Sequence, residues 1–214
     1  SKFKNKIKYI VADYEKEVNS ENHIGGESLI EQHQRNSLSA GLVSANDNDL
    51  IILSDSDEIP DLTKLNQIKK NTKFTAFSQM MFMYKLNLQN LNENNWIGSK
   101  IVLKKNMPSP QKLRDLKFKK YPFWRIDKTG LQVINGGWHF SFLQNPSDIA
   151  KKINSFSHGE FNNSEFTDEI KIEKRILNNE DVFGRGYELR KIDLDEIYPE
   201  FIRNNKELLK QWII

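Results

Sequence analysis

The sequence contains no cysteine, which excludes disulfide bonds, thiolate metal sites and cysteine nucleophiles. It also lacks any apolar run near the ~20 residues that a transmembrane helix needs. The apolar part of its first segment is too short for a signal peptide. We therefore expect a soluble chain with a cytoplasmic location and no membrane-spanning segment.

The sequence also lacks a large excess of positive or negative charge. The chain has 32 Lys and Arg against 29 Asp and Glu, for a net charge of +3. Dedicated nucleic-acid binders carry a wide basic surface instead. We therefore expect no nucleic-acid partner.

Apolar residues are plentiful enough for a sizeable core. Hydrophobic residues make up 37% of the 214 positions and aromatic residues 11%, a composition that argues against disorder. The sequence has no internal repeat and no low-complexity linker. We expect a single domain over residues 1–214.

The order of apolar patterns predicts an α/β fold. A strand is predicted over residues 7–14, an amphipathic helix within 27–45, and a strand buried on both faces at Leu50–Leu53. This βαβ-like order predicts a mixed sheet flanked by helices. Further strands are predicted within residues 73–86, 96–103 and 131–143, the last broken by Gly136 and Gly137. Further helices are predicted over residues 61–70, 146–156 and 166–181, with Thr167 as N-cap of the last, and after Pro199.

Three carboxylates crowd the segment after the apolar strand: Asp55, Asp57 and Glu58. Like charges this close repel, and burying them is costly unless a positive charge lies between them. The segment is therefore either a solvated turn or a cation site. In open α/β sheets, ligands bind outside the carboxyl ends of strands, and hard divalent cations take carboxylate oxygens. The position of Asp55 and Asp57 after an apolar strand favours a metal site.

A second candidate site lies in the stretch "GGWHFS", residues 136–141. Gly136 and Gly137 would let the backbone approach a ligand closely. Trp138 would stack on a flat face of that ligand, and His139 would bind an anion or the metal. The structural alternative is a glycine-marked bulge with an aromatic core and a hydrogen-bonded histidine.

Two basic features have several interpretations. Arg35 lies in the helix before the acidic strand, where it either reaches a nucleotide or stays on the surface. Residues 104–128 interleave lysine, arginine and aromatic side chains. This segment would cover an acceptor or diphosphate, bind RNA by stacking and charge, or form a surface arm.

Several blocks, in order along the chain, resemble glycosyltransferase family 17, the family of the bisecting β-1,4-N-acetylglucosaminyltransferase of N-glycans. The blocks are QRN, DLIILSDSDEIP, WIGSKIVLKKNMPSPQKLRD, NGGWHFSFL, KINSFSHGEFN and FTDEIKIEKRILNNEDVFGRG. The resemblance runs from about Ile7 to Asn204. Family members usually carry a further N-terminal strand–helix–strand portion, so we expect this chain to begin after it.

The resemblance implies a nucleotide-sugar-binding fold of the GT-A type and inversion at the anomeric carbon. It implies Mn²⁺ or Mg²⁺ as cofactor, UDP-N-acetylglucosamine as donor and a glycan as acceptor. The metal ligands would be Asp55, Asp57 and, as the late histidine of such enzymes, His158. The donor-binding residues would be Arg35, Gly136, Gly137, Trp138 and His139.

An inverting transfer needs a carboxylate that takes the proton of the acceptor hydroxyl. Glu160 is the first candidate and Asp168 the second. For Asp168 the alternative is a negative charge that favours the start of a helix. The competing hypothesis for the whole chain is a non-catalytic or truncated relative that binds a nucleotide or glycan.

Overall fold

The structure is a computed structural model that describes residues 3–13, 23–24, 27–118, 130–155 and 163–214. Its strands are β1 (His23–Ile24), β2 (Glu27–Ser28), β3 (Leu50–Leu53), β4 (Glu58–Pro60), β5 (Phe74–Met83), β6 (Leu88–Asn90), β7 (Trp96–Leu103), β8 (Leu131–Ser141) and β9 (Leu189–Lys191). Its α-helices are α1 (Leu29–Ser37), α2 (Pro110–Asp115), α3 (Pro146–Ser155), α4 (Ser164–Thr167), α5 (Glu169–Leu177) and α6 (Glu200–Asn204).

The architecture is mixed α/β, which confirms the predicted fold class. Hydrogen-bonded neighbours in the larger sheet follow the order β3-β7-β5-β6-β9, and β8 pairs with β4 and β5. Strands β3 and β7 are antiparallel, with Leu50 opposite Leu103 and Leu53 opposite Lys100. Strands β4 and β8 are also antiparallel, with Glu58 opposite His139. No helix in the described parts of the chain has the length and apolar character needed to cross a membrane.

Several predicted elements are confirmed. The apolar run at residues 50–53 is β3, residues 96–103 are β7, and α3 begins at Pro146 as its early proline suggests. The short helix after Pro199 is α6, with Pro199 as its N-cap.

Other predictions for the first half of the chain are wrong. Residues 7–13 form no strand, and Ile7, Tyr9 and Val11 are exposed there. Alternating apolar residues fit a strand only when a neighbouring strand and a core receive them. Among the described residues no strand before α1 belongs to the sheet of β3, because β1 and β2 form a separate sheet, and β3 pairs antiparallel with β7. Strand β3 is not buried on both faces, because Leu50 is exposed. Residues 62–67 form only a short 3₁₀ helix.

Two predictions for the second half are also wrong. Strand β8 is not broken at Gly136 and Gly137 but runs through both. The helix predicted over residues 166–181 is two helices, α4 and α5, because Asp168 has an extended backbone and caps α5 with its side chain. The N-caps are therefore Asn163 and Asp168 rather than Thr167.

The chain divides into two compact units, and the first comprises residues 1–53, 68–76 and 100–133. Its core contains Leu53, Val102 and Leu113, with Ile51 and Phe74 packed against them. Helix α2 begins after Ser109, whose hydroxyl accepts the Lys112 N–H. The core of this unit therefore joins β3 and β7 to α2.

The second unit comprises residues 54–67, 77–99 and 134–214. One core cluster packs α3 and α5, through residues such as Ile149 and Ile172, against β5 residues such as Met83. A second cluster is built on Phe82, whose ring lies 5.3 Å from Phe140 and 5.2 Å from Tyr198 between centroids. The predicted acidic segment and the "GGWHFS" stretch both belong to this unit.

Candidate functional site

The three crowded carboxylates are separated by the turn that contains them. The Asp55 carbonyl accepts the Glu58 N–H at 3.1 Å, which closes the turn. Glu58 then points inward and is only 4% exposed. Its Oε1 accepts the Trp96 indole N–H at 2.9 Å, and its Oε2 accepts the Asp55 N–H at 3.2 Å. Glu58 therefore holds the turn from inside rather than adding to a surface charge cluster.

A glycine makes room for the Glu58 carboxyl group. A Cβ at Gly98 would lie 3.1 Å from Glu58 Cδ and 1.8 Å from Gln79 Oε1. Gln79 in turn donates to Ser99 Oγ at 3.1 Å, and the Ser99 and Ser54 hydroxyls are hydrogen-bonded to each other. The turn therefore rests on a buried polar layer in which any side chain at position 98 would collide.

Asp57 is held by a buried histidine on the neighbouring strand. The antiparallel register of β4 and β8 places Glu58 opposite His139, and the Phe140 N–H donates to the Asp57 carbonyl at 2.9 Å. His139 Nε2 then lies 3.2 Å from Asp57 Oδ2. The His139 side chain is 8% exposed and that of Asp57 is 36% exposed. The pair thus has a buried donor and a carboxylate that still reaches solvent.

The environment keeps the Asp57 carboxylate ionised. Burial by itself would raise the pKa of Asp57, but the hydrogen bond and electrostatic interaction with His139 outweigh it and lower that pKa below its usual range. The His139 ring also contacts Trp96, with 4.8 Å between ring centroids. Its Nδ1 is buried and has no hydrogen-bond partner among the described residues. The contact with Asp57 through Nε2 therefore orients the imidazole ring.

A cavity of about 310 Å³ opens beside Asp57. It contains charges of both signs, because Asp57 and Lys152 both line it. The remaining lining residues are Ser56, Ile59, Phe140, Phe142, Leu143 and Gln144. A half-apolar cavity with a carboxylate and an ammonium group suits a polar ligand that has an apolar face.

Packing accounts for Gly137 and Trp138. Gly137 has φ of +111°, and a Cβ there would lie 2.5 Å from the Ile59 carbonyl oxygen on β4. The Trp138 indole N–H donates to the Ile197 carbonyl at 2.9 Å. At Gly136 a Cβ would meet Asp61 Cβ at 3.2 Å. These contacts fit the structural alternative, and donor binding by Gly136, Gly137 and Trp138 stays a prediction.

Arg35 and Asp168 each have partners of their own. Arg35 belongs to the first unit, where it donates to Gln111 Oε1 at 2.6 Å. Asp168 Oδ1 accepts the N–H groups of Ile170 and Lys171 at 2.9 and 3.1 Å, which is the helix-start alternative. His158 and Glu160 lie outside the described residues, as does the 119–129 part of the basic segment.

The residues present fit a hard divalent cation. In the described part of the chain, no group of three or more His, Asp or Glu side chains is placed to hold a metal. Mg²⁺, however, is commonly held by one or two carboxylates together with substrate phosphates. Asp57 offers an ionised, half-exposed carboxylate of that kind. Asp55 is also partly exposed on the same turn.

Sequence reasoning missed Lys152, Gln144, Trp96 and Gly98. Lys152 follows another lysine on α3, and no local pattern distinguishes the two. Gly98 is a lone glycine inside a strand pattern, which is a general signal of close backbone approach. That signal was available in the sequence, whereas the partners of Trp96 and Gln144 depend on contacts between distant segments.

Comparison with known proteins agrees with the resemblance seen in the sequence. A family model described as glycosyltransferase family 17 matches residues 1–189. No curated protein and no solved structure matches the chain. The family match covers far more than half of the 214 residues. The chain therefore belongs to glycosyltransferase family 17, a family of enzymes that transfer a sugar from an activated donor to an acceptor.

Proposed function

We propose that the protein is an inverting, metal-dependent glycosyltransferase. It would transfer N-acetylglucosamine from UDP-N-acetylglucosamine to a hydroxyl group of a glycan. The observation that carries the proposal is the ionised Asp57 carboxylate, held by buried His139 at the edge of a cavity. The family match supports sugar transfer as the reaction class. The donor, the metal and the inversion are our inference.

Asp55 and Asp57 would hold the Mn²⁺ or Mg²⁺ ion, with His158 as a further predicted ligand. When bound, such a cation neutralises negative charge on the departing diphosphate. His139 keeps Asp57 in one orientation, because its Nε2–H donates to Oδ2 and its ring is fixed against Trp96. The Asp57 carboxylate is therefore ready to bind without a change of rotamer.

The acceptor hydroxyl would attack the anomeric carbon from the side opposite the diphosphate. A carboxylate must take the hydroxyl proton as the new bond forms. Glu160 remains our first candidate for this base. Asp168 is the weaker one, because its Oδ1 already accepts two backbone N–H groups at the start of α5.

The test is transfer of N-acetylglucosamine from its UDP donor, or hydrolysis of that donor, in the presence of Mn²⁺. We expect Asp57→Asn to lose activity by about 100-fold or more, the scale of losing one positioned electrostatic group. Asp47→Asn is the matched control, because it makes the same chemical change at an exposed turn. Equal activity of Asp57→Asn and wild type would exclude the metal role of Asp57.

A second candidate is a relative that binds a nucleotide or glycan without turnover. The engagement of Asp168 in helix capping favours it, because that removes one of the two candidate bases. Calorimetry with UDP and Mn²⁺ separates the two. Tight metal-dependent binding without any transfer or hydrolysis would support this second candidate.

A further inference from the structure

Lys152 is placed in the cavity by a rigid helix. It lies on α3 between Ile149 and Ile153, and both isoleucines are fully buried in the core of the second unit. Because both isoleucines are packed in the core, they fix the rotation of α3 about its axis and therefore the position of Lys152. Lys151, the preceding residue, has a side chain that is 76% exposed and pairs with Asp148 at 2.9 Å. Two adjacent lysines therefore occupy entirely different environments.

The ammonium group of Lys152 is oriented by an aromatic ring. Its Nζ lies 4.4 Å from the centroid of the Phe142 ring, a distance typical of a cation–π contact. Phe142 itself packs against Tyr84 and Phe183, at centroid distances of 6.1 and 5.3 Å. Because Tyr84 and Phe183 hold the Phe142 ring in place, the Lys152 side chain that packs on this ring has a defined position at the cavity wall.

The cavity also contains an unsatisfied polar atom. The side-chain oxygen of Gln144 is buried and has no hydrogen-bond partner among the described residues, and Gln144 lines the cavity with Lys152. A buried acceptor without a partner is costly. A ligand with both negative charge and hydrogen-bond donors would satisfy Gln144 and Lys152 together, and a phosphorylated sugar has both.

We propose that Lys152 binds the diphosphate of the nucleotide-sugar donor in this cavity. The identity of the anion rests on the proposed function, whereas the anion-binding character of the lysine rests on the cavity itself. A diphosphate beside Asp57 would be repelled by that carboxylate, and the Lys152 ammonium offsets this repulsion. The two charges share this space, because Asp57 and Lys152 line the same cavity. A compact ammonium is a common partner of phosphate oxygens.

The experiment measures UDP binding by calorimetry, with and without Mn²⁺, for wild type, Lys152→Met and Lys151→Met. Methionine keeps an unbranched stem over Phe142 and removes the ammonium group, with its charge and its hydrogen-bond donors. We expect Lys152→Met to weaken UDP binding about 10- to 100-fold, the range for losing one charge-assisted hydrogen bond. Lys151→Met removes the same charge from the same helix and should change the affinity less than about 3-fold.

One further variant and one stability measurement make the result unambiguous. Lys152→Arg keeps the charge and should retain most of the affinity, which a purely steric role of Lys152 would not predict. Thermal unfolding of Lys152→Met should stay within a few degrees of wild type. If Lys152→Met is less stable than that, the UDP affinity of Lys152→Arg relative to wild type decides whether the charge of Lys152 binds UDP.

Unchanged UDP affinity in Lys152→Met would overturn the inference. Inorganic pyrophosphate separates that outcome from failure of the proposed function. If wild type binds pyrophosphate but not UDP, and Lys152→Met weakens that binding, the anion site stands and the proposed donor is wrong. If wild type binds neither UDP nor pyrophosphate, both proposals fail.

Discussion

His139 Nε2 lies 3.2 Å from Asp57 Oδ2, and this contact joins the turn before β4 to the C-terminal part of β8. The imidazole is buried and packs at a tilted angle against Trp96, while the carboxylate is partly exposed at the cavity. We infer that the histidine acts through the aspartate, as a positioning residue, and direct donor binding by His139 stays a prediction. This assignment differs from direct donor binding and leads to the first prediction.

Replacing His139 should change the ionisation of Asp57. His139→Phe keeps an aromatic ring against Trp96 but removes the hydrogen-bond donor to Asp57. The pKa of Asp57 should therefore rise, because burial raises it and His139 no longer lowers it. His139→Gln retains a donor and should reverse part of the rise. Carboxyl-carbon NMR titration of Asp57 measures the effect. The same pKa in all three proteins would show that His139 does not hold Asp57.

Gly137→Ala should destabilise the protein strongly. The new Cβ would be strained at φ of +111° and would lie 2.5 Å from the Ile59 carbonyl oxygen, so β4 and β8 must separate. We expect a loss of about 2–4 kcal/mol in the free energy of unfolding. Gly184→Ala is the control, because Gly184 has φ of +65° with no atom within 4 Å of its Cβ position. It should lose only about 1 kcal/mol. Urea unfolding of both variants checks this, and equal losses would refute the collision.

Trp96→Phe should show how far the stability of the protein depends on the hydrogen bond from the Trp96 indole to Glu58 in the acidic turn. The change leaves buried Glu58 Oε1 without its indole donor, which costs about 1–3 kcal/mol of stability. Trp138→Phe makes the same chemical change but removes a solvent-exposed bond to the Ile197 carbonyl. It should cost less than about 1 kcal/mol. If thermal or urea unfolding ranks the two variants the other way, Glu58 is not held as described.

The Asp181 carboxylate should make the protein less stable in acid. Burial alone would raise the pKa of Asp181, but hydrogen bonds from Arg185 and Tyr84 lower it below the usual value. The folded state therefore binds fewer protons than the unfolded state. The stabilisation is complete above the unfolded-state pKa of about 3.9 and is lost as the pH falls through the folded-state pKa.

Unfolding in urea at a series of pH values measures this contribution. Asp181→Asn should be less stable than wild type at pH 7 and should lose less stability than wild type on acidification below about pH 5. Asp148→Asn, which breaks the exposed pair with Lys151, should change stability by less than about 0.5 kcal/mol at pH 7. Parallel acid profiles for wild type and Asp181→Asn would contradict the prediction.

Local patterns predicted those elements whose signals are complete within a few residues. The apolar run at Leu50–Leu53 and the early proline of α3 are signals of that kind. Residues 7–13 were misjudged because their apolar alternation says nothing about whether a neighbouring strand exists. The helix predicted over residues 166–181 ends and restarts at Asp168, since that side chain competes for backbone N–H groups.

The sequence indicated several residues of the candidate site but not the contacts between them. Asp57 and His139 were both candidates, yet their contact depends on the register of β4 against β8. Glu58 was indistinguishable from its acidic neighbours until Trp96 and the space left by Gly98 placed it inside. Lys152 could not be separated from Lys151 without the packing of Ile149 and Ile153.

The sequence by itself determined the family, through ordered blocks that extend along most of the chain, and it excluded cysteine chemistry. It also placed three carboxylates directly after an apolar strand. Only the tertiary structure decided that Glu58 is buried, that Asp57 stays at the cavity with a histidine behind it, and that Lys152 faces the same space. The physical reason is that the protonation and orientation of a carboxylate depend on partners within a few ångströms. Here those partners come from β7, β8 and α3, whose positions no local pattern specifies.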